Sequence, residues 1–322
     1  MSMRVVAPGL LTTVQDSGRI GSRHLGVGQA GALDAYSHSI ANLLVGNPTG
    51  AATLEITLGG PTLVLEDDAV IALCGATIDA HADGVALADW RPIMLPAGVT
   101  VSLGACRQGA RAYLAVAGGF SVAAVLASAS TDLRGGFGGV GGRALARGDR
   151  LACEPAPHTI ETISIAPWWI DPSPELQWDR PAVARVIAVT GDAPWKNGLF
   201  DRTWRVATAS NRQGLRLEGT PLPSVESDDR VSEPVAPGAI QLPSDGQPIV
   251  LLADAQTHGG YPRIGHAIRA DWPRLAQLRP GDVLHFSPCT EDEARQARLE
   301  QAHRLARLAL AIADRRRPAS PY

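Results

Sequence analysis

The chain has 322 residues, enough for two domains or one large one with a substantial core. Its 29 basic and 32 acidic residues leave a formal net charge of −3, which gives no strong pull toward nucleic acid or an acidic membrane surface. No apolar run approaches the length of a membrane span, and the opening Met-Ser-Met-Arg-Val-Val has no signal-peptide core.

Most predicted elements are short strands punctuated by glycine and proline. In chain order, the first clear helix covers 33–45, capped by Asp34 and stopped by Gly46-Asn47-Pro48. Strands follow at 60–65, at 69–73 closed by Gly75, at 99–103 between Gly98 and Gly104, and at 112–117 before Gly118-Gly119. In the second half, strands are expected at 183–189, ending at Gly191, and at 247–253. Residues 272–278 suit a short helix or turn. Thr290-Glu-Asp-Glu293 is a capping box, opening a helix expected to run to about Asp314. Ala294, Ala297, Leu305, Leu308 and Ile312 form its apolar stripe, and Arg315-Arg316-Arg317 complements its terminal dipole.

With 34 glycines and 24 prolines spread this way, the pattern predicts a mainly β protein of compact barrels or sandwiches. Leu145-Ala-Arg-Gly-Asp-Arg-Leu151 is echoed by Leu278-Arg-Pro-Gly-Asp-Val-Leu284, which suggests two related halves. Between the echoes lie Glu154-Pro-Ala-Pro157 and Pro167-Trp-Trp-Ile-Asp-Pro-Ser-Pro174. The expected organisation is a first β-domain over 1–165, a proline-rich linker over 166–182, a second β-domain over 183–289, and a C-terminal helix and tail over 290–322.

Five clusters carry polar groups. The richest is Asp254-Ala-Gln-Thr-His-Gly-Gly-Tyr-Pro262, where an apolar strand delivers a carboxylate, an amide and a hydroxyl to a double glycine. A plain turn needs the glycines but not Asp254, Gln256 and Thr257 beside them. Near the start, Thr12, Thr13, Gln15, Asp16 and Arg19 crowd one turn. An Asp16–Arg19 pair there either holds a carboxylate or carbamate or simply stabilises the turn. Ser128-Ala-Ser-Thr-Asp132 leads into Arg134 and three double glycines, which reads as a flexible lid or an anion cradle, without a Walker pattern. Ser210-Asn-Arg212 and Ser232-Glu233 with Gln241 complete the set. Cys74, Cys106, Cys153 and Cys289 are far apart with no histidine at ligand spacing, so no metal site is expected and a cytoplasmic setting fits. No nucleophile elbow or H-E-x-x-H motif is present, and His258 is the one histidine placed for catalysis.

Taken in order, these clusters resemble one family. Gly9-Leu-Leu-Thr-Thr-Val-Gln-Asp-Ser-Gly-Arg19, Gly31-Ala-Leu-Asp34, Ala41-Asn-Leu-Leu-Val-Gly-Asn47, Leu54-Glu-Ile56, Ser128-Ala-Ser-Thr131, Ser210-Asn-Arg212, Gly238-Ala-Ile-Gln241 and Gln256-Thr-His-Gly-Gly-Tyr-Pro262 carry the likeness. The family is the biotin-dependent-carboxyltransferase-like group, which includes the C subunit of 5-oxoprolinase, Kip-type kinase-inhibitor antagonists and the carboxyltransferase region of urea amidolyase. The resemblance implies cyclophilin-like β-barrel domains with a site between them. It implies work as the C subunit of an ATP-dependent 5-oxoprolinase, hydrolysing 5-oxoproline to glutamate with two partners, a Kip-inhibitor-like B component and a LamB/YcsF-like A component. ATP is then used by the complex, at a site on this chain or on a partner, and the substrate is a small amide. Alternatives are transfer of a carboxyl group from carboxybiotin on a partner, and non-enzymatic binding of a kinase-inhibitor-like protein.

By matching motifs, the resemblance implies Gln15, Asp16, Arg19, Asn211, Arg212, Gln241, Asp254, Gln256, Thr257 and Tyr261 as pocket residues. Of these, Asp16 and Asp254 are expected to be catalytic, positioning or activating water or substrate, Arg19 and Arg212 to hold a carboxylate, and the rest to bind substrate; His258, from its place in the last motif, is the third catalytic candidate. Relatives often carry a second threonine where this chain has His258. Lys196 is the only lysine and has no methionine beside it, so this chain is not expected to carry covalent biotin. On sequence alone, Asp254→Ala is expected to abolish activity and leave the fold intact.

Overall fold

The computed structural model describes residues 2–154, 159–178, 181–189, 195–223 and 231–316. Part of the proline run at 155–157, the strand stop at Gly191, Arg317 and the side chain of Lys196 lie outside the described residues. The described chain is mainly β and forms two compact units, each assembled from separated segments. The first unit takes Met1–Gly18, Asp34–Pro174 and the chain from His303; the second takes Arg19–Leu33 and Glu175–Ala302.

The first unit is built on a ten-stranded sheet. Its strands are β1 (Ser2–Ala7), β2 (Leu11–Gln15), β3 (Thr53–Thr57), β4 (Thr62–Leu65), β5 (Ala69–Ala82), β6 (Val85–Ala86), β7 (Pro92–Leu95), β8 (Thr100–Val116), β9 (Arg150–Ala152) and β10 (Ser164–Ile165). The two strands expected at 99–103 and 112–117 are one strand, β8, and the short strand at 69–73 is the start of the fourteen-residue β5. Gly75 does not stop β5. The pairing of β5 with β8 slips in register at Gly75/Thr77, Thr77/Ile78 and Ile78/Ala80, so the glycine marks a bulge. A side chain there would meet the Arg111 carbonyl. Buried Met3, Leu54, Ile56, Ile71, Leu73 and Leu114 form the core of this unit.

Helix α1 (Ala35–Val45) behaves as its sequence dictates. The Asp34 carboxylate accepts from Ser37 N at 2.9 Å and from Ser37 Oγ at 2.6 Å, and Gly46 closes the helix at φ 85°.

In the second unit, seven strands close into a barrel: β11 (Ala182–Ala188), β12 (Thr203–Val206), β13 (Gly214–Glu218), β15 (Ala239–Gln241), β16 (Ile249–Leu251), β18 (Arg263–Ala267) and β19 (Val283–Pro288). A separate ladder pairs β14 (Glu233–Pro234) with β17 (His258–Gly259). Trp204, wholly buried, packs among Val186, Leu217, Ile240 and Leu284 inside the barrel. Short helices α2 (Lys196–Asp201) and α3 (Trp272–Ala276) also belong to this unit.

The two echoed segments fold alike. Gly148 and Gly281 both adopt φ 92°, and each following aspartate accepts from the amide three residues back: Ala146 N to Asp149 at 2.7 Å, Arg279 N to Asp282 at 2.8 Å. Each turn then feeds a strand, β9 or β19.

Helix α4 (Glu291–Arg316) opens on the expected capping box. Thr290 N donates to Glu293 Oε2 at 2.8 Å, and Glu293 N donates to Thr290 Oγ1 at 3.2 Å. Its first half sets Ala297 against Ile268 and Ala270, while Ile312 is buried in the half that belongs to the first unit. Arg316 does more than end its own helix: its guanidinium lies over Gly46, where α1 leaves its carbonyls. Thr290→Ala removes the hydroxyl cap and is expected to lower stability by about 1 kcal/mol. Urea denaturation checks this, and an unchanged midpoint would show the cap to be idle.

Candidate functional site

In the first unit the polar residues gather where β2 ends. Gln15 is fully buried; its amide donates to Thr13 Oγ1 at 3.0 Å and to the Thr131 carbonyl at 3.2 Å. Asp16, one residue on, accepts from Gly18 N at 2.8 Å, Ser128 Oγ at 2.6 Å, Ala129 N at 2.7 Å and Ser130 Oγ at 2.5 Å. Burial alone raises its pKa, but these four donors outweigh burial and hold the carboxyl below its ordinary 3.8. Asp16 is therefore ionised at neutral pH, with its lone pairs largely committed.

The glycine-rich segment after Thr131 is not a loose lid. Its amides bond internally: Gly136 N to Asp132 O at 2.9 Å, Gly139 N to Ala129 O at 3.0 Å and Gly142 N to Gly138 O at 2.7 Å. Gly142 sits at φ 71°, and a Cβ there would overlap the Gly136 backbone.

Sequence reasoning missed a buried network beside this cluster. Tyr113 OH donates to Glu55 Oε2 at 2.9 Å and accepts from Asp34 N at 2.8 Å; all three residues are within 1% of complete burial. His38 lies nearby on α1, with Nε2 3.0 Å from the Ala51 carbonyl, its ring edge-on to Tyr113. Burial lowers the His38 pKa and raises that of Tyr113 well above its ordinary value, so both stay neutral at pH 7. The available signal was Glu55 itself, a carboxylate in the middle of an apolar strand pattern.

The second unit holds the other candidates. Arg212 and Asp254 form a bidentate pair, Nε to Oδ2 at 2.8 Å and Nη2 to Oδ1 at 3.0 Å, with side chains 4% and 7% exposed. Arg212 also donates to the Gly31 carbonyl at 2.8 Å. Ala30 N meets the Ala253 carbonyl at 3.2 Å, so the 30–31 segment is stitched to the same place. Arg19 is completely buried, with its N–H on the Gln29 carbonyl at 2.7 Å.

Gln241, buried on β15, accepts from the Gln256 amide at 3.3 Å. Thr257 Oγ1 lies 3.1 Å from His258 Nδ1, on the exposed edge of β17. Tyr261 is half exposed. Asn211 turns inward on its own backbone, accepting from Gln213 N at 2.8 Å to close a local turn. Within this unit, then, the chain joins Arg212 to Asp254, Gln241 to Gln256 and Thr257 to His258. Among the described residues no three His, Cys, Asp or Glu side chains are grouped to hold a metal ion, and no helix is long and apolar enough to cross a membrane.

One β unit thus holds a partly buried carboxylate among hydroxyls and amides, and the other, a closed barrel, holds one paired with an arginine. Residues 25–288 match the model for the carboxyltransferase domain, subdomain A and B, and the chain belongs to that family. It is 40% identical to the 5-oxoprolinase C subunit of Escherichia coli K12 over 315 residues, covering 95% of this chain and 97% of that protein. It is 35% identical to the 5-oxoprolinase C subunit of Haemophilus influenzae, covering 89% and 91%. The crystal structure of the K. lactis urea amidolyase superposes with a TM-score of 0.86 at 30% identity, over 94% of this chain and 20% of that one.

Proposed function

We propose that this chain is the C subunit of an ATP-dependent 5-oxoprolinase and helps hydrolyse 5-oxoproline to glutamate with its B and A components. The observation that carries this reading is the 40% identity to a protein of that name across nearly the full length of both chains. In this reading ATP is consumed by the complex, at a site on this chain or on a Kip-inhibitor-like or LamB/YcsF-like partner. The wide spacing of the four cysteines supports a cytoplasmic setting.

Opening a lactam needs a polarised carbonyl, an attacking oxygen and a proton for the leaving nitrogen. The adjoining Gln241 and Gln256 amides are suited to hold the substrate's polar groups. Asp16 and Asp254 act by fixing their neighbours, because their oxygens are already engaged. In this reading His258, exposed beside the Thr257 hydroxyl, passes the proton.

Reconstitution tests the reading. All three components together are expected to show 5-oxoproline-dependent ATP hydrolysis, and its absence with this chain present and folded would end the assignment. A second reading, carboxyl transfer from carboxybiotin on a partner, draws support from the urea amidolyase superposition. Recovery of a biotin carrier with the tagged chain, in place of the B and A components, would favour it.

Gly259 offers a finer test. A Cβ there would stand 2.6 Å from Gln241 Nε2, the end of a side chain that can turn away. Gly259→Ala is expected to cut turnover on the order of tenfold, equivalent to ~1.4 kcal/mol, with little change in the melting curve. Full activity in that variant would remove the Gln241 amide from the site.

A further inference from the structure

Arg212, expected from the sequence to hold a carboxylate of the substrate, is already paired with Asp254. A different arginine has an uncommitted nitrogen. Arg23 donates through Nη2 to the Val235 carbonyl and to the Gln256 carbonyl, the latter at 2.8 Å. Its Nη1 is buried and has no hydrogen-bond partner among the described residues. Gln241, 1% exposed, also has a buried Nε2 with no partner among the described residues, while its Oε1 is held by the Gln256 amide. Both unmatched nitrogens thus belong to side chains tied to one residue, Gln256: Arg23 on its carbonyl, Gln241 on its side chain. Both are donors, and a buried donor without an acceptor is unfavourable in the ligand-free protein. Burial also pulls the Arg23 pKa down.

We propose that Arg23 and Gln241 form a subsite about Gln256 that takes a carboxylate group of the ligand. Two donors, one of them cationic, favour a carboxylate, which only accepts, and disfavour a neutral carboxamide, whose NH₂ would face a donor. The covering backbone is Gly259, which lets the chain pass close to the Gln241 amide. The inference rests on the proposed function insofar as 5-oxoproline carries such a carboxylate, and it assigns that group to Arg23 and not Arg212.

The test uses the full chain and a small panel of probes: 5-oxoproline, proline and glutamate, each beside its carboxamide. Melting temperature is expected to rise with one or more of the acids and not with the amides. In Arg23→Gln the rise should vanish, reflecting affinity at least about tenfold weaker. Gln241→Glu keeps the shape but turns a donor into an acceptor, and it should abolish the rise even if Arg23→Gln folds poorly. No response to any acid in the wild type, or equal responses in the folded variants, would overturn the subsite. Turnover of 5-oxoproline by the reconstituted complex is judged separately. A complex that fails to hydrolyse it, while the chain keeps an Arg23-dependent response to another acid, would sink the function and leave the subsite standing.

Discussion

Asp254→Ala is expected to destabilise the second unit by about 3–5 kcal/mol, because it strands the Arg212 guanidinium in a site 4% exposed. This reverses the sequence-based expectation that the variant would be inactive but intact. The reason is the bidentate geometry, which the motif spelled out only as two polar residues 42 positions apart. Asp254→Asn should be milder, since the amide oxygen still accepts one of the two bonds. Urea denaturation of the two variants separates the cases. Equal midpoints for wild type and Asp254→Ala would mean that the pair contributes nothing and that Arg212 finds other acceptors. Any activity loss in Asp254→Ala is uninterpretable for catalysis until that measurement is made.

The second large effect belongs to Asp16. Its four donors come from Gly18 and from residues 128–130, so Asp16→Ala should free the start of the glycine-rich segment and cost roughly 3 kcal/mol, on the scale of one or two charge-assisted hydrogen bonds. The effect carries a pH signature. The folded-state pKa lies below the unfolded value near 3.8, so the ionised carboxylate's contribution is complete above that value and fades as pH falls through the folded one. The stability gap between wild type and Asp16→Ala should therefore be flat at neutral pH and narrow below about pH 3.8. A gap that widens on acidification would show that Asp16 is protonated in the folded protein.

Local signals in the sequence were reliable where the physics is local. Asp34 and Gly46 bound α1, and Thr290 with Glu293 opens α4, because caps depend on residues three or four apart. The Gly-Asp turns repeat because both need the same left-handed glycine and the same aspartate bond. Glycine misled the reading in long strands. Gly75 lies inside β5 and Gly104 inside β8, two strands whose pairing absorbs in bulges what looked like stops. The polar partners were the least visible part. Tyr113 reaches Glu55 across 58 positions, and Ser128 reaches Asp16 across 112. Asp16 looked like a partner for Arg19 because they are neighbours in sequence, yet hydroxyls and amides from a distant loop hold its carboxylate. Distance along the chain hides such pairs, and only the folded chain brings them together.

The division of the chain also has a consequence for its birth on the ribosome. Glu175–Ala302 emerges before the residues from His303, yet those later residues belong with strands made at the very beginning. The first unit can form its sheet early but must wait for Ile312 to be buried and for Arg316 to cover Gly46. Domain-by-domain folding in order of synthesis is thus interrupted. During that interval the end of α1 lacks its arginine, so a nascent chain stalled near Ala302 should be more open to proteolysis around Gly46 than the finished one.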